Sequence, residues 1–349
     1  MRIDKEEALK MFHGDLLDLG EQADNIRKAL HPDGKVTFIV DRNINYTNIC
    51  INRCRFCAFY RTPESPEAYL LTRDEIFRKI EETISLGGTQ ILLQGGINPA
   101  LGIDYYTDLL RAIKARFEVN LHGFSPPEIA YLARRHQLTI RETLIILRDA
   151  GLDSIPGGGA EILSDRVREV LSPKKIRSSE WLKVMEEAHR IGMRTTATMM
   201  FGSIEGPEDI IEHLDSIRRL QDKTGGFTAF IPWSFQPGNT ELSLEFSAKG
   251  SRFYGTTATD YLRILAISRI YLDNIRNIQA SWVTQGLKLA QVALRFGAND
   301  FGSTMIEENV VRAAGVSYRV SKEDIIKAIR QAGFKPVQRD TYYNAIREF

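Results

Sequence analysis

Ile49-Cys-Ile-Asn-Arg-Cys-Arg-Phe-Cys-Ala-Phe-Tyr60 holds every cysteine in the chain, Cys50, Cys54 and Cys57, in a C-x3-C-x2-C run. Thiols packed this closely are metal or cluster ligands far more often than disulfide partners. A 4Fe–4S cube anchored by three thiolates leaves its fourth iron open for another ligand. A tetrahedral zinc site needs a fourth protein ligand nearby. No histidine lies in the run, and the nearest, His31 and His122, are far off in sequence. The run therefore reads as an iron–sulfur site. Its thiols must stay reduced, which points to a cytoplasmic location.

The 349 residues carry 46 Lys and Arg against 45 Asp and Glu, a formal net charge of +1. That balance gives no reason to propose nucleic acid or an anionic membrane as partner. The first twenty residues form an amphipathic, partly acidic helix pattern without the features of a secretory signal. No apolar stretch approaches the ~18–20 residues that span a bilayer.

Outward from the cysteines, short β-branched or apolar runs alternate with longer amphipathic ones. Strands are expected at 45–49, 90–93, 118–121, 154–155, 195–200, 227–231 and 278–281, with a weak one at 299–301. Between them, helical patterns cover 72–85, 106–117, 140–150, 179–191, 207–224, 258–274 and 286–296. This alternation implies βαβ units and a parallel sheet. The expected fold is α/β, a (β/α)8 TIM-type barrel over residues 36–320. An N-terminal helical extension (1–35) precedes it, and a C-terminal helical segment (321–349) packs on it.

Polar and glycine-rich residues gather after several strands: the cysteine run, Gln94-Gly95-Gly96, His122-Gly-Phe-Ser125, Pro156-Gly-Gly-Gly-Ala-Glu161 and Trp233-Ser-Phe-Gln-Pro237. In parallel barrels the loops after the strands build the active site. Gly157-Gly158-Gly159 lacks the G-x-G-x-x-G spacing of a dinucleotide site; it is a tight turn or an opening for a ligand. Met199 and Met200 read as core.

The cysteine run, with Phe56 before its last cysteine, resembles the radical S-adenosylmethionine (SAM) enzymes. That resemblance implies a barrel with the motif after its first strand. It also implies SAM on the open iron and reductive cleavage to a 5′-deoxyadenosyl radical. Asn48–Arg61, Gln94–Pro99 and His122–Pro126 resemble the branch acting on futalosine-type and deazaflavin intermediates. Pro156–Leu163, Thr196–Gly202, Phe230–Pro237 and Gly297–Thr304 are most similar to the cyclic dehypoxanthine futalosine synthases of menaquinone biosynthesis. The implied substrate is dehypoxanthine futalosine: hydrogen abstraction from C4′ of its ribose, ring closure onto its aromatic ring, then loss of an electron and a proton. An electron donor such as flavodoxin or ferredoxin is implied as partner. Aminofutalosine synthase is the neighbouring activity, and a non-catalytic iron–sulfur scaffold is the alternative from another class.

The resemblance assigns Cys50, Cys54 and Cys57 to iron, and Tyr60, Gln94, Gly95, Gly96, Ser125, Glu161 and Arg168 to SAM. It assigns His122, Trp233, Phe235, Asn299 and Asp300 to substrate. Several keep a second reading. Glu161 bonds the SAM ribose or amine, or is a helix-start carboxylate in a charge ladder with Asp165 and Arg168. Ser125 touches cofactor or caps the next helix. His122 carries a proton or is a satisfied strand-end residue. Trp233 and Phe235 wall an aromatic substrate or pack in the core. Asn299, Asp300, Ser303 and Thr304 hold a ribose or carboxylate, or form a polar loop.

Overall fold

The barrel begins earlier than the sequence patterning implies. In the computed structural model, which describes residues 2–248, 255–316 and 320–349, the first strands are β1 (Lys35–Ile39) and β2 (Asp41–Ile44). Residues 45–49 are loop, with only isolated bridges, Thr47 to Leu70 and Ile49 to Arg61. The nine strands that follow are β3 (Gln90–Leu93), β4 (Asn120–Gly123), β5 (Ser154–Ile155), β6 (Arg194–Phe201), β7 (Phe227–Ser234), β8 (Asn277–Ile278), β9 (Asp300–Ser303), β10 (Lys335–Arg339) and β11 (Ala345–Glu348).

Strands β2 to β8 form one curled parallel sheet in sequence order. The parallel bridge Gln279↔Asp300 attaches β9 to its far edge. β9 in turn pairs with β1 at Thr37↔Asp300 and Ile39↔Ser303, and the Thr304 N–H reaches Ile39 O at 2.9 Å. β1 runs through Val40 into β2, so the two sheets together encircle the interior. Counting β1–β2 as one interrupted strand, the expected (β/α)8 barrel is what the chain builds.

Local sequence starts the surrounding helices. Thr72, Thr139 and Thr257 each close a capping box with an acidic residue three positions on. The amphipathic helices Arg73–Ser85, Ile103–Arg116, Ile140–Asp149, Ser178–Arg190 and Pro207–Thr224 alternate with the strands. At the N-terminus, the helices Lys5–Lys10 and Leu16–Leu30 form the expected extension; the second packs on the helix Ala258–Tyr271. The last segment begins with the expected helix, Lys322–Gln331. It then continues as two strands that the patterning does not reveal. β10 lies parallel to β1 (Lys35↔Lys335 to Phe38↔Gln338), and β11 returns antiparallel.

Interior-facing residues follow the two-residue period of strands. Asp41 and Asn43, Gln90 and Leu92, Thr196 and Thr198, and Ile231 and Trp233 all line one central cavity. Arg42, between two of them, turns outward to Glu82 at 2.8 Å. At the floor, β10 delivers buried Arg339 to Asp300 through two hydrogen bonds, 2.6 and 3.1 Å. Asp41 accepts from Gln90 at 2.6 Å and from Ser303. Among the described residues, no helix is long and apolar enough to cross a membrane.

Candidate cofactor and substrate site

The cysteines sit on the loop leaving β2, at the C-terminal end of the barrel strands. Cys54 is buried, Cys50 and Cys57 are partly so, and all three are free thiols. The loop is pinned at both ends. Cys50 N–H donates to Arg61 O (3.1 Å), Arg61 N–H to Asn48 O (2.8 Å), and Ile51 N–H to Ile97 O (3.1 Å). The Arg61 guanidinium gathers the carbonyls of Ala58 and Tyr60 at 2.9 Å each. The Phe59 and Tyr60 N–H groups face the Cys57 sulfur. Tyr60 itself is partly buried on the same loop.

Burial pushes the Cys54 thiol up to about 12, against the pull of the Lys175 ammonium. Among the described residues, no three His, Cys, Asp or Glu side chains converge as a single metal ion would require. Three free thiols on one loop are the donor set of a multi-iron cluster, in which each sulfur takes its own iron.

Two glycine turns press against this loop. A Cβ at Gly96 would stand 2.2 Å from Ile49 O and 2.9 Å from Cys50 Cβ, so only glycine lets the β3 loop lie flat on the cysteine loop. Gly95 donates its N–H to Glu128 Oε1 at 3.2 Å. Buried Glu128 also accepts from Tyr46 OH, and from the N–H and hydroxyl of Ser125 at 2.7 and 2.6 Å. Ser125 is thus engaged as a helix cap, and Glu128 ties three loops together.

The second turn carries Gly158 against the Gln94 amide, where a Cβ would lie 2.4 Å from Nε2. Its end is Glu161, a non-glycine residue at φ 43°. Glu161 Oε1 pairs with Lys175 Nζ at 3.0 Å. Oε2 is buried, lies 3.7 Å from Arg168 Nη1, and has no hydrogen-bond partner among the described residues. Arg168 instead fastens the turn, donating to Ala160 O, Gly159 O and Ile176 O.

The cavity has a volume of about 280 Å³, near the ~300 Å³ lower end for small-molecule sites. Gln94, Gly158 and Glu161 line its cysteine side, and His122 and Trp233 line it too. His122 Nδ1 is held by Ser154 Oγ at 2.7 Å. Burial, reinforced by Arg339, lowers its pKa to about 3, so the imidazole is neutral. Glu308 also lines the cavity while accepting N–H bonds from Val310 (2.9 Å) and Val311 (2.8 Å).

Three residues read as substrate contacts are placed apart from it. Phe235 is 2% exposed, packed in the core outside the cavity lining. The Asn299 carboxamide holds Arg269, the Ile278 N–H and Asn277. Asp300 is committed to Arg339. Glu128, Lys175, Asp41 and Arg339 belong to this environment and were not singled out from the sequence. Only Glu128 had a local signal there, as the acidic partner of Ser125 in Ser-Pro-Pro-Glu.

A barrel with a cysteine loop after its first strand, glycine turns against that loop, and a cavity between them defines a radical SAM enzyme. The chain belongs to that superfamily. The radical SAM superfamily description matches residues 44–217, and the CofH/MqnC C-terminal region matches 224–348. The chain is 48% identical to a cyclic dehypoxanthine futalosine synthase from Halalkalibacterium halodurans, over all of this chain and 92% of that one. It is 46% identical to a 5-amino-6-(D-ribitylamino)uracil–L-tyrosine 4-hydroxyphenyl transferase from Methanothermobacter thermautotrophicus, over 99% and 95%. In fold it is similar to the FeFe-hydrogenase maturase HydG from Carboxydothermus hydrogenoformans (TM-score 0.77, 19% identity, 98% of this chain and 77% of that one). It is likewise similar to methylornithine synthase (TM-score 0.73, 17% identity, 96% and 94%). Membership implies a 4Fe–4S cluster and SAM.

Proposed function

We propose that this enzyme cyclises dehypoxanthine futalosine, with Cys50, Cys54 and Cys57 each holding one iron of a 4Fe–4S cluster. The observation that supports the site is the buried, hydrogen-bond-free Oε2 of Glu161. It lies at the cavity wall beside Gln94 and Gly158 and close to the cysteine loop. The observation that supports the substrate is the 48% identity to a synthase of this kind over the whole chain.

With SAM bound, the cluster supplies a 5′-deoxyadenosyl radical able to abstract a hydrogen atom from the substrate ribose. The chain's own residues position and shield. Glu161 Oε2, Gln94, the Gly95–Gly96 backbone and Tyr60 hold SAM. Arg168, Glu128 and Ser125 keep the two turns that carry those groups in place. Trp233 walls the aromatic part of the substrate, and neutral His122 offers hydrogen bonding without adding a charge to the cavity. An external one-electron donor is required.

Anaerobic reconstitution with iron, sulfide, reductant and SAM, followed by incubation with dehypoxanthine futalosine, tests this. Cyclised product and free 5′-deoxyadenosine are expected in equal amounts; 5′-deoxyadenosine without cyclised product would refute the substrate. The 46% identity to the transferase supports a second reading. A parallel incubation with L-tyrosine and 5-amino-6-(D-ribitylamino)uracil discriminates between them.

A further inference from the structure

Lys175 lies on the loop after the helix Asp165–Leu171, in Ser172-Pro-Lys-Lys-Ile176, outside every motif used above. Its side chain is only 9% exposed. Nζ sits 3.0 Å from Glu161 Oε1 and 5.1 Å from the ring centroid of Phe56, the residue just before Cys57. Arg168 stands on the far side of Glu161. Within this buried group two cations face one carboxylate, and the more exposed Asp165 adds a second carboxylate on the Arg168 side, leaving Lys175 to face the cysteine loop. Lys175 faces Cys54: burial works to lower the Lys175 pKa, but the Cys54 sulfur and Glu161 together raise it.

We propose that Lys175 is the electrostatic counter-charge of the iron–sulfur cluster, a positioning residue that eases uptake of the electron needed for SAM cleavage. The proposal rests on the cluster assignment above. A reduced cluster is one electron more negative than an oxidised one. A fixed cation in a low-dielectric surrounding therefore stabilises the reduced form selectively, and net charge is among the main settings of cluster potential. Glu161, with the opposite sign, works against Lys175 on the same cluster.

The test is an EPR-monitored redox titration of the reconstituted cluster without SAM, which separates this role from SAM binding. Lys175→Met should reduce the equilibrium constant for reduction at least tenfold, moving the midpoint about 59 mV or more negative. Lys175→Arg, keeping the charge, should stay within threefold of wild type. Glu161→Gln should move the midpoint the other way, and Glu161→Gln with Lys175→Met should fall between the two singles. A structural disturbance has no reason to change sign with the charge removed. A Lys175→Met midpoint equal to wild type, or shifts of the same sign in Lys175→Met and Glu161→Gln, overturns the proposal. If Lys175→Met does not assemble the cluster, Glu161→Gln alone decides, and no positive shift overturns it. Wild-type protein that takes up no 4Fe–4S cluster would sink the functional reading itself, a distinct failure.

Discussion

Gly96→Ala isolates the contact between the β3 loop and the cysteine loop. The added methyl would meet a backbone oxygen, Ile49 O, at 2.2 Å and Cys50 Cβ at 2.9 Å. Ordinary contact begins near 3.4 Å, so the loop bearing Cys50 must retreat by more than 1 Å. Neither neighbour is a flexible side-chain end able to swing away. Overpacking of this kind costs about 1–3 kcal/mol, so the protein should stay folded with its Tm lowered by several degrees. The larger effect is positional. A displacement of about 1 Å at a reacting centre can cost roughly 10²-fold in rate. The assay is anaerobic reconstitution, measuring iron and sulfide per chain and then the rate of 5′-deoxyadenosine release with excess SAM and reductant. Gly96→Ala should bind less than the full cluster complement or release 5′-deoxyadenosine about a hundredfold more slowly. Gly14→Ala is the control, since its methyl meets nothing nearer than 3.5 Å. Full iron and sulfide content with a rate within twofold of wild type would refute the claim that this contact positions the cluster loop.

Cys54→Ala should abolish SAM cleavage with the barrel still folded by circular dichroism, because the core lies elsewhere. Asp300→Asn leaves Arg339 buried beside a neutral partner and should cost about 3–5 kcal/mol in urea unfolding; a loss under 1 kcal/mol would show that this pair does not secure the floor. His122 titrates near 3 folded and 6.5 unfolded, so the stability it confers is full above about pH 6.5 and lost as the pH falls toward 3. At pH 5 that loss is about 2 kcal/mol. His122→Asn should therefore show a smaller drop in Tm between pH 7 and pH 5 than wild type; an equal drop would count against a neutral buried imidazole.

The cysteine loop was legible because its chemistry demands neighbours in sequence, and three thiols in eight residues cannot be hidden by folding. The strands Arg194–Phe201 and Phe227–Ser234 were legible because they are long and β-branched or aromatic. The strand at Asp41–Ile44 was not, because the cavity reverses the usual pattern: Asp41 and Asn43 face inward and look like loop residues. β10 was hidden by Pro336, which argues against a strand unless it lies where its missing N–H does no harm. Asn299 and Asp300 read equally well as ligand contacts or polar struts, and only their partners Arg269 and Arg339, 30 and 39 residues away, decide between those uses. Lys175 was unreadable for a related reason, since its meaning lies in its distance from Glu161 and the cysteine loop.

The pairing of β1 with β10 sets a timetable for the newborn chain. Lys35 and its partner Lys335 are separated by nearly the whole sequence. At ~5–20 residues per second of synthesis, β1 waits roughly 15–60 s for that neighbour. Until then one edge of the first strand has its N–H and C=O groups unanswered, open to pairing with the wrong chain. The central sheet from β2 to β8 can assemble as it emerges from the ribosome, but the floor closes last, when Arg339 arrives to meet Asp300. A chain halted before Lys335 would keep that edge open for good, and should clump or be degraded even though all three cysteines had long since been made.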